Sequence, residues 1–216
     1  MSYNISSFNE LRKYIASDLY RYTTSTSWRA YVRGWYIAGF RYTFFMRWCQ
    51  YSRGKGLLFL PLYFICRVAL RHYSVKYGFQ IPWQTNIGPG LFIGHYGSII
   101  VNPNSTIGTN CNISVGVLLG LSHKIDESGK SLGFQYPTIG DRVSLGNNAK
   151  IIGGVNIGND AVVGVNSVVT KDLPCSAVAV GIPAKIISDK GSSALVGSFH
   201  PWSKQYCVEE KNPLHN

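Results

Sequence analysis

Two histidines in the second half of the chain stand in short glycine-containing segments, where an imidazole can act as a general base. His95 lies in IGHYGS and His123 in GLSHK. Imidazole titrates close to neutral pH, so its neutral form can accept a proton at physiological pH. We expect structural or surface positions for the remaining histidines, which are His72, His200 and His215.

The cysteines are odd in number and widely spaced, and none forms a CxxC pair. They are Cys49, Cys66, Cys111, Cys175 and Cys207. This pattern argues against a disulfide framework or a zinc site and favours a reducing compartment. The first residues, MSYNISSFNELRKY, also lack the apolar stretch of a secretory signal. We therefore expect a cytoplasmic protein.

Nearly all of the net positive charge lies before residue 80. This part has twelve basic residues and two acidic ones, Glu10 and Asp18, which accounts for +10 of the net charge of +11. Such a charge points to an acidic partner: nucleic acid, a membrane surface or a phosphorylated small molecule. The same part is rich in aromatic residues, and its apolar residues recur at spacings of three and four. This pattern predicts helices over about 8–24, 27–52 and 56–78.

One apolar run within this part, from Leu57 to Cys66, is too short to cross a bilayer, which takes about 20 residues as a helix. One interpretation is a buried helix or a subunit contact. The other is a basic, aromatic surface on an anionic membrane, with Arg and Lys near the headgroups and Trp and Tyr at the interface. No nucleic-acid-binding motif accompanies the charge, and we expect no nucleic-acid partner.

From residue 80 onward, small aliphatic residues recur every six positions. They are Ile87, Ile93 and Ile99, then after a two-residue slip Val101, Ile107, Ile113 and Leu119, and finally Ile139, Leu145, Ile151, Ile157, Val163 and Val169. A period of six fits neither an amphipathic helix nor a single alternating strand of this length. It predicts a triangular solenoid: each hexapeptide forms one side, its aliphatic residue points into the core, and the next residue, often glycine, turns the corner.

The period is interrupted once, at 121–138, by a polar segment between two repeat blocks. A long loop that leaves a rigid scaffold is usually functional. The period loosens again around Pro174 and Pro183, which indicates a terminal cap. The sequence thus predicts three parts: a basic, aromatic helical region (1–79), a β-helix domain with the extruded loop (80–188) and a C-terminal tail (189–216).

Residues 80–188 resemble the hexapeptide-repeat acyltransferases, and within them the serine-acetyltransferase-like branch. The resemblance is carried by IGPGLFIGHYGSIIVN, TIGTNCNISVGVLLG, PTIGDRVSLGNNAKIIGGVNIGNDAVVGVNSVVTKDLP and VGIPAKII. It implies a mainly β fold, a left-handed parallel β-helix, assembled as a homotrimer with active sites between neighbouring subunits. It also implies direct transfer of an acetyl group from acetyl-CoA to a hydroxyl, with a histidine as general base and no metal.

The resemblance suggests roles for individual residues. His95 matches the general base, and His123, at the start of the extruded loop, is a second candidate because its place resembles that of the catalytic histidine in galactoside and maltose acetyltransferases. The positions that match contacts to the pantetheine arm are Gly120, Asn147 and Val165. The positions that match the nucleotide end of CoA are Thr170, Lys171 and Lys185, where lysine suits phosphate charge.

The chain departs from serine acetyltransferases on the acceptor side. Gly94 replaces the aspartate before the catalytic histidine, and Gln80 replaces the aspartate that orients it. Gln135 and Tyr136 replace an Arg-His pair. An amino-acid acceptor needs charged partners, whereas Gln and Tyr suit a neutral polyol. We therefore expect Gln80, Gln135 and Tyr136 to contact a sugar or lipid-linked glycan. The expected function is O-acetylation in capsule, O-antigen or exopolysaccharide biosynthesis, at the inner membrane face.

Three alternatives stay open at this point. The first is a serine O-acetyltransferase. The second is a metal-dependent hydratase of the γ-carbonic-anhydrase type, which needs three histidines on zinc, whereas only His95 and His123 lie in the repeats. The third is a non-catalytic trimeric scaffold in which His95 only packs.

Overall fold

The computed structural model describes residues 3–125 and 128–204. Its first part is helical, with α1 at Phe8–Thr23, α2 at Trp28–Trp35, α3 at Ala38–Ser52, a 3₁₀ turn at Leu57–Phe59 and α4 at Leu60–Tyr77. A short helix, α5, follows much later at Pro201–Lys204. The helices predicted over 8–24 and 56–78 are confirmed.

The prediction of a single helix over 27–52 is wrong, because the chain turns between α2 and α3 at Tyr36 and Ile37. Gly34 weakens the end of α2, since glycine costs about 1 kcal/mol relative to alanine in a helix. The Arg41 guanidinium donates through Nε to the Trp35 carbonyl oxygen at 2.8 Å. This bond satisfies one of the carbonyl groups that a helix leaves free where it ends.

From Phe79 onward the chain forms a parallel β-helix of short strands in three sheets, named A, B and C in the order in which the chain enters them. Sheet A contains β1 (Phe79–Gln80), β4 (Ile99–Val101), β7 (Leu118–Gly120), β12 (Lys150–Ile152) and β15 (Val168–Val169). Sheet B contains β2 (Asn86–Ile87), β5 (Thr106–Ile107), β10 (Thr138–Ile139) and β13 (Asn156–Ile157). Sheet C contains β3 (Phe92–Ile93), β6 (Asn112–Ile113), β11 (Ser144–Leu145), β14 (Val162–Val163), β16 (Val178–Gly181) and β17 (Ala184–Ser188).

The predicted core positions stack from coil to coil. In sheet B, Ile87, Ile107, Ile139 and Ile157 lie in register and are at most 2% exposed. All thirteen aliphatic positions of the six-residue pattern are buried. The triangular solenoid predicted from the period is therefore confirmed, while the division into domains after residues 79 and 188 stays a prediction.

The two-residue slip in the period has a structural cause in β4. Ile99 pairs with Phe79 of the preceding coil, whereas Val101 pairs with Leu119 of the following coil. Both Ile99 and Val101 point into the core, with the exposed Ile100 between them. One strand thus carries two core positions, and the period continues from the second.

The segment 121–138 contains an antiparallel hairpin of β8 (Ser122–Ile125) and β9 (Ser131–Gln135). Its base lies against the next coil, where a Cβ on Gly153 would come within 2.6 Å of the Ser122 hydroxyl oxygen. A Cβ on Gly154 would come within 2.8 Å of the Gln135 side-chain oxygen. The two consecutive glycines therefore make room for the hairpin.

The helical region covers the first coil through buried charged side chains. Asp18 forms an ion pair with Arg47, with 2.9 Å between Arg47 Nε and Asp18 Oδ2. Asp18 also accepts the backbone N–H groups of Gly90 and Leu91 at 2.8 and 3.0 Å. Arg21 donates to the Gly90 carbonyl oxygen at 3.1 Å. Part of the positive charge before residue 80 is therefore structural.

Among helices in the described residues, none combines the length and hydropathy needed to cross a bilayer. Across residues 3–125 and 128–204, no three His, Cys, Asp or Glu side chains are grouped as metal ligands. Among the described residues, Cys49, Cys66, Cys111 and Cys175 are not joined to one another by disulfides, and Cys207 lies outside the described residues.

Candidate active site

His95 lies at a corner of the β-helix, between β3 of sheet C and β4 of sheet A. Its side chain is exposed. The corner is held by the end of α4, since the Gly97 N–H donates to the Tyr77 carbonyl oxygen at 2.8 Å. Glycine is favoured at Gly78, where φ is +75° and a Cβ would lie 3.0 Å from the Gly97 carbonyl carbon. The backbone that carries His95 is therefore fixed.

The His95 imidazole has no hydrogen-bond partner among the described residues of one subunit. Gln80, at the position where the resemblance expects an orienting aspartate, pairs through its backbone with Ile100 and exposes its side chain on sheet A. The described part of one subunit thus offers His95 as an accessible base without an orienting carboxylate.

Asn147 and Val165 lie on the same edge as His95, at the corners between sheets C and A of later coils. The corners are joined by backbone bonds: the Gly116 N–H donates to Ser98 at 2.6 Å, and the Asn166 N–H donates to Asn147 at 2.8 Å. Each rung of parallel strands adds about 4.8 Å. The edge from His95 to Val165 is therefore a straight, exposed track along which an extended ligand can lie.

Lys185 continues this edge at its far end. It pairs with Val180 in the antiparallel ladder of β16 and β17. A Cβ on Gly164, the neighbour of Val165, would come within 2.6 Å of the Val180 side chain. The exposed Lys185 side chain thus belongs to the edge that begins at His95, where it can meet a phosphate.

The other predicted site residues lie at a different corner, between sheets A and B. These residues are Gly120, His123, Gln135, Tyr136, Thr170 and Lys171. His123 lies on β8, with 2.8 Å between its Nε2 and the Ser131 hydroxyl and 5.2 Å between its ring and that of Phe134. One subunit therefore does not bring His123 beside His95.

A cleft of about 710 Å³ lies between α4 and the first strands of sheet A. Its lining includes Gln80, Arg67, Arg71 and Ser74, and it ends at Gly78 below the His95 corner. Both arginine side chains are exposed. The sequence analysis missed them, although their spacing of four on a predicted helix puts them on one helix face.

The buried thiols near this cleft are not nucleophiles. Burial raises the pKa of Cys49 to about 12 and also raises the pKa of Cys66. Both thiols are protonated at neutral pH, whereas a thiolate is the reactive form.

The comparisons with known proteins agree with this fold. Residues 136–171 match the family model described as bacterial transferase hexapeptide (six repeats). The chain is 37% identical over 126 residues to serine acetyltransferase of Helicobacter pylori (strain ATCC 700392 / 26695), covering 58% of this chain and 70% of that relative. It is 35% identical over 143 residues to serine acetyltransferase of Mycobacterium tuberculosis (strain ATCC 25618 / H37Rv), covering 66% of this chain and 57% of that relative.

Solved structures give the same result. A serine acetyltransferase of Neisseria gonorrhoeae superposes with a TM-score of 0.65 at 25% identity, covering 95% of this chain and 74% of that one. A serine acetyltransferase in complex with CoA superposes with a TM-score of 0.64 at 25% identity, covering 83% and 71%.

The repeat match and the similar solved structures identify the fold as a left-handed parallel β-helix of the hexapeptide-repeat type. The chain belongs to the hexapeptide-repeat acyltransferases, in the branch that contains the serine acetyltransferases. It is an acetyl-CoA-dependent acyltransferase.

The expectation of a sugar O-acetyltransferase in polysaccharide biosynthesis is wrong, because relatives at 32–37% identity and structural neighbours alike are serine acetyltransferases. The expectation rested on uncharged residues at three aligned positions, Gln80, Gln135 and Tyr136. It did not count Arg67 and Arg71, which only the packing of α4 brings into the cleft beside Gln80.

Proposed function

We propose that this protein transfers the acetyl group of acetyl-CoA to the hydroxyl of L-serine. The observation that carries the proposal is the 37% identity with the Helicobacter pylori serine acetyltransferase over 70% of that relative. The accessible histidine on a rigid corner supports the same chemistry.

In the proposed reaction, His95 takes the proton of the serine hydroxyl as its oxygen attacks the thioester carbonyl. A C–O bond forms, and the tetrahedral intermediate collapses with cleavage of the C–S bond. The proton passes from His95 to the departing thiolate, so that the products are O-acetylserine and CoA. Of the two candidate bases, we prefer His95, because it shares an edge with Asn147, Val165 and Lys185.

We propose that the pantetheine arm of acetyl-CoA lies along this edge, past Asn147 and Val165. Lys185 then lies toward the nucleotide end, where an exposed ammonium meets phosphate charge. Gly120, Thr170 and Lys171 stay proposed contacts at the other corner, for CoA held between subunits.

For the acceptor, we propose that the cleft beside Gln80 receives the carboxylate of serine. Arg67 and Arg71 line this cleft, and a guanidinium binds a carboxylate through two parallel hydrogen bonds. These side chains would take over the role of the Arg-His pair that Gln135 and Tyr136 replace.

We also propose a homotrimer. His95 and the hairpin lie at different corners of one subunit, so the hairpin residues Gln135 and Tyr136 meet a His95 edge only when it belongs to a neighbouring copy. A cytoplasmic location stays a prediction from the sequence.

The test is thiol release from acetyl-CoA with and without L-serine, on wild type and three variants. We expect His95→Ala to lower kcat by about 10²- to 10⁴-fold, the usual contribution of a general base. We expect Arg71→Gln to raise the KM for serine about tenfold with kcat retained, because it weakens substrate binding rather than the chemical step. The matched control is His123→Ala, which should change kcat by less than about threefold.

Wild-type release that L-serine does not stimulate would contradict the proposed acceptor. Loss of activity in His123→Ala rather than His95→Ala would move the base to the hairpin. Circular dichroism of each variant separates these outcomes from misfolding.

A further inference from the structure

The exposed side of α4 carries four large apolar side chains beside the exposed Arg67, Arg71 and His72. Val68 is 71% exposed, Val75 68%, Ile65 65% and Phe64 61%. These residues recur at helical spacing, while Cys66 and Leu70 face the core. The 3₁₀ turn before α4 extends this face with Leu57 and Leu58, which are 84% and 88% exposed. The interpretation of the run from Leu57 to Cys66 as a buried helix is therefore wrong for its outward side.

A second exposed apolar group lies on α2. Trp28 is 71% exposed, Tyr36 81%, Val32 51% and Trp35 42%. An apolar pocket of about 410 Å³ opens between these side chains and α3. Large apolar side chains that are exposed side by side, rather than singly, are typical of a site of interaction.

The two groups are joined by ring contacts across α3. The rings of Trp35 and Phe45 are 5.9 Å apart, and Phe45 stacks on Tyr73 of α4 at 5.6 Å. Arg41 lies over both Trp35 and Tyr73. These contacts connect α2 to α4 through α3, and the exposed side chains of α2 and α4 together are named here the α2–α4 surface.

The charge around this surface is positive. Arg29 and Arg33 lie on α2 and Lys76 lies on α4, and all three are exposed. Of the two acidic residues before residue 80, Asp18 is buried against Arg47 and the Glu10 carboxylate caps the start of α1. A second copy placed on the same surface would bring like charges together, whereas an anionic lipid surface complements both the cations and the apolar side chains.

We propose that the α2–α4 surface lies on an anionic lipid bilayer as a peripheral contact. The aliphatic side chains of α4 enter the boundary between headgroups and acyl chains. Trp28, Trp35 and Tyr36 lie at headgroup level, and the bordering Arg and Lys side chains meet anionic headgroups. This inference does not depend on the acceptor of the acetyl group.

The test is co-sedimentation of the full chain with vesicles of equimolar phosphatidylglycerol and phosphatidylcholine, and with vesicles of phosphatidylcholine alone. We expect binding to the anionic vesicles that weakens between 0.1 and 1 M salt, where the screening length falls from about 10 Å to about 3 Å. The double variant Phe64→Glu/Val68→Glu should lower the partition coefficient by at least about tenfold. The double variant Arg29→Gln/Arg33→Gln should lower it by about fivefold for each charge removed.

The matched control is Ile186→Glu/Ile187→Glu, which places the same two charges on apolar residues that are 52% and 64% exposed on β17, away from this surface. It should bind vesicles like wild type. Circular dichroism and thermal unfolding confirm that each variant is folded.

The proposal is overturned when wild type does not sediment with anionic vesicles, or when Ile186→Glu/Ile187→Glu and Phe64→Glu/Val68→Glu reduce binding equally. Sedimentation equilibrium tests the other possible occupant of the surface, a second copy of this chain. Fewer subunits in Phe64→Glu/Val68→Glu, without vesicle binding by wild type, would assign the surface to contacts between copies.

Discussion

The β-helix and the helical region bury different kinds of side chain. The core of the β-helix is a column of Ile, Val and Leu, each held by the identical position of the next coil. Where the helical region meets the first coil, it buries Asp18, Arg47 and Arg21 in addition to apolar side chains such as Tyr42 and Met46. The difference arises from the backbone N–H and C=O groups that need hydrogen-bond partners in each region.

Inside the solenoid, every coil takes up the backbone groups of its neighbour. The carbonyl oxygen of Ile107, for example, accepts the N–H of Gly88 from the coil before it. The first coil has no such neighbour. Arg47 donates to the carbonyl oxygens of Ile87 and Gly88 at 2.8 and 2.6 Å, in place of the missing coil. The helical region is therefore the terminal cap that a solenoid requires, and its buried charges replace a strand.

The largest effect is expected where this cap is broken. Arg47→Met should lower the free energy of unfolding by about 3–5 kcal/mol, because it leaves the Asp18 carboxylate buried without its ion pair. Urea denaturation measures this loss, and Arg29→Met, at an exposed position, is the control with a change within about 0.5 kcal/mol. A loss for Arg47→Met below about 1 kcal/mol would mean that the cap does not need its ion pair.

A smaller effect is expected in the aliphatic column, where two neighbouring isoleucines differ only in the direction they face. Ile151 is fully buried, whereas Ile152 is half-buried on the outside of sheet A. Ile151→Ala should lower the free energy of unfolding by about 2–4 kcal/mol through the cavity it leaves. Ile152→Ala should lower it by less than about 1 kcal/mol. Equal losses in the same urea experiment would contradict the inward assignment of the six-residue pattern.

The repeat phase also determines part of the candidate site. His95, Asn147 and Val165 each follow a core residue of sheet C by two positions, so the period alone predicts that they share one edge. His123 follows Leu119 by four positions and belongs to another corner. The position of the hairpin follows from the same phase, because the repeat stops after Leu119 and resumes at Ile139.

The acceptor side of the site is less predictable. Arg67 and Arg71 lie in a predicted helix, but helical spacing does not say which face of α4 meets sheet A. The error over the acceptor has the same cause. Arg67 and Arg71, the proposed contacts of the serine carboxylate, lie on α4 and not at the aligned positions Gln80, Gln135 and Tyr136.

The sequence by itself determined the solenoid, its core, the interruption at 121–138 and the family, because a six-residue period allows one way to bury its aliphatic residues. Only the tertiary structure decided how the helices close the first coil, that Asp18 and Arg47 pair, and that α4 turns Phe64 and Val68 outward. The ion pair joins residues far apart in the chain, and the orientation of α4 depends on what it packs against. Neither produces a repeating pattern in the sequence.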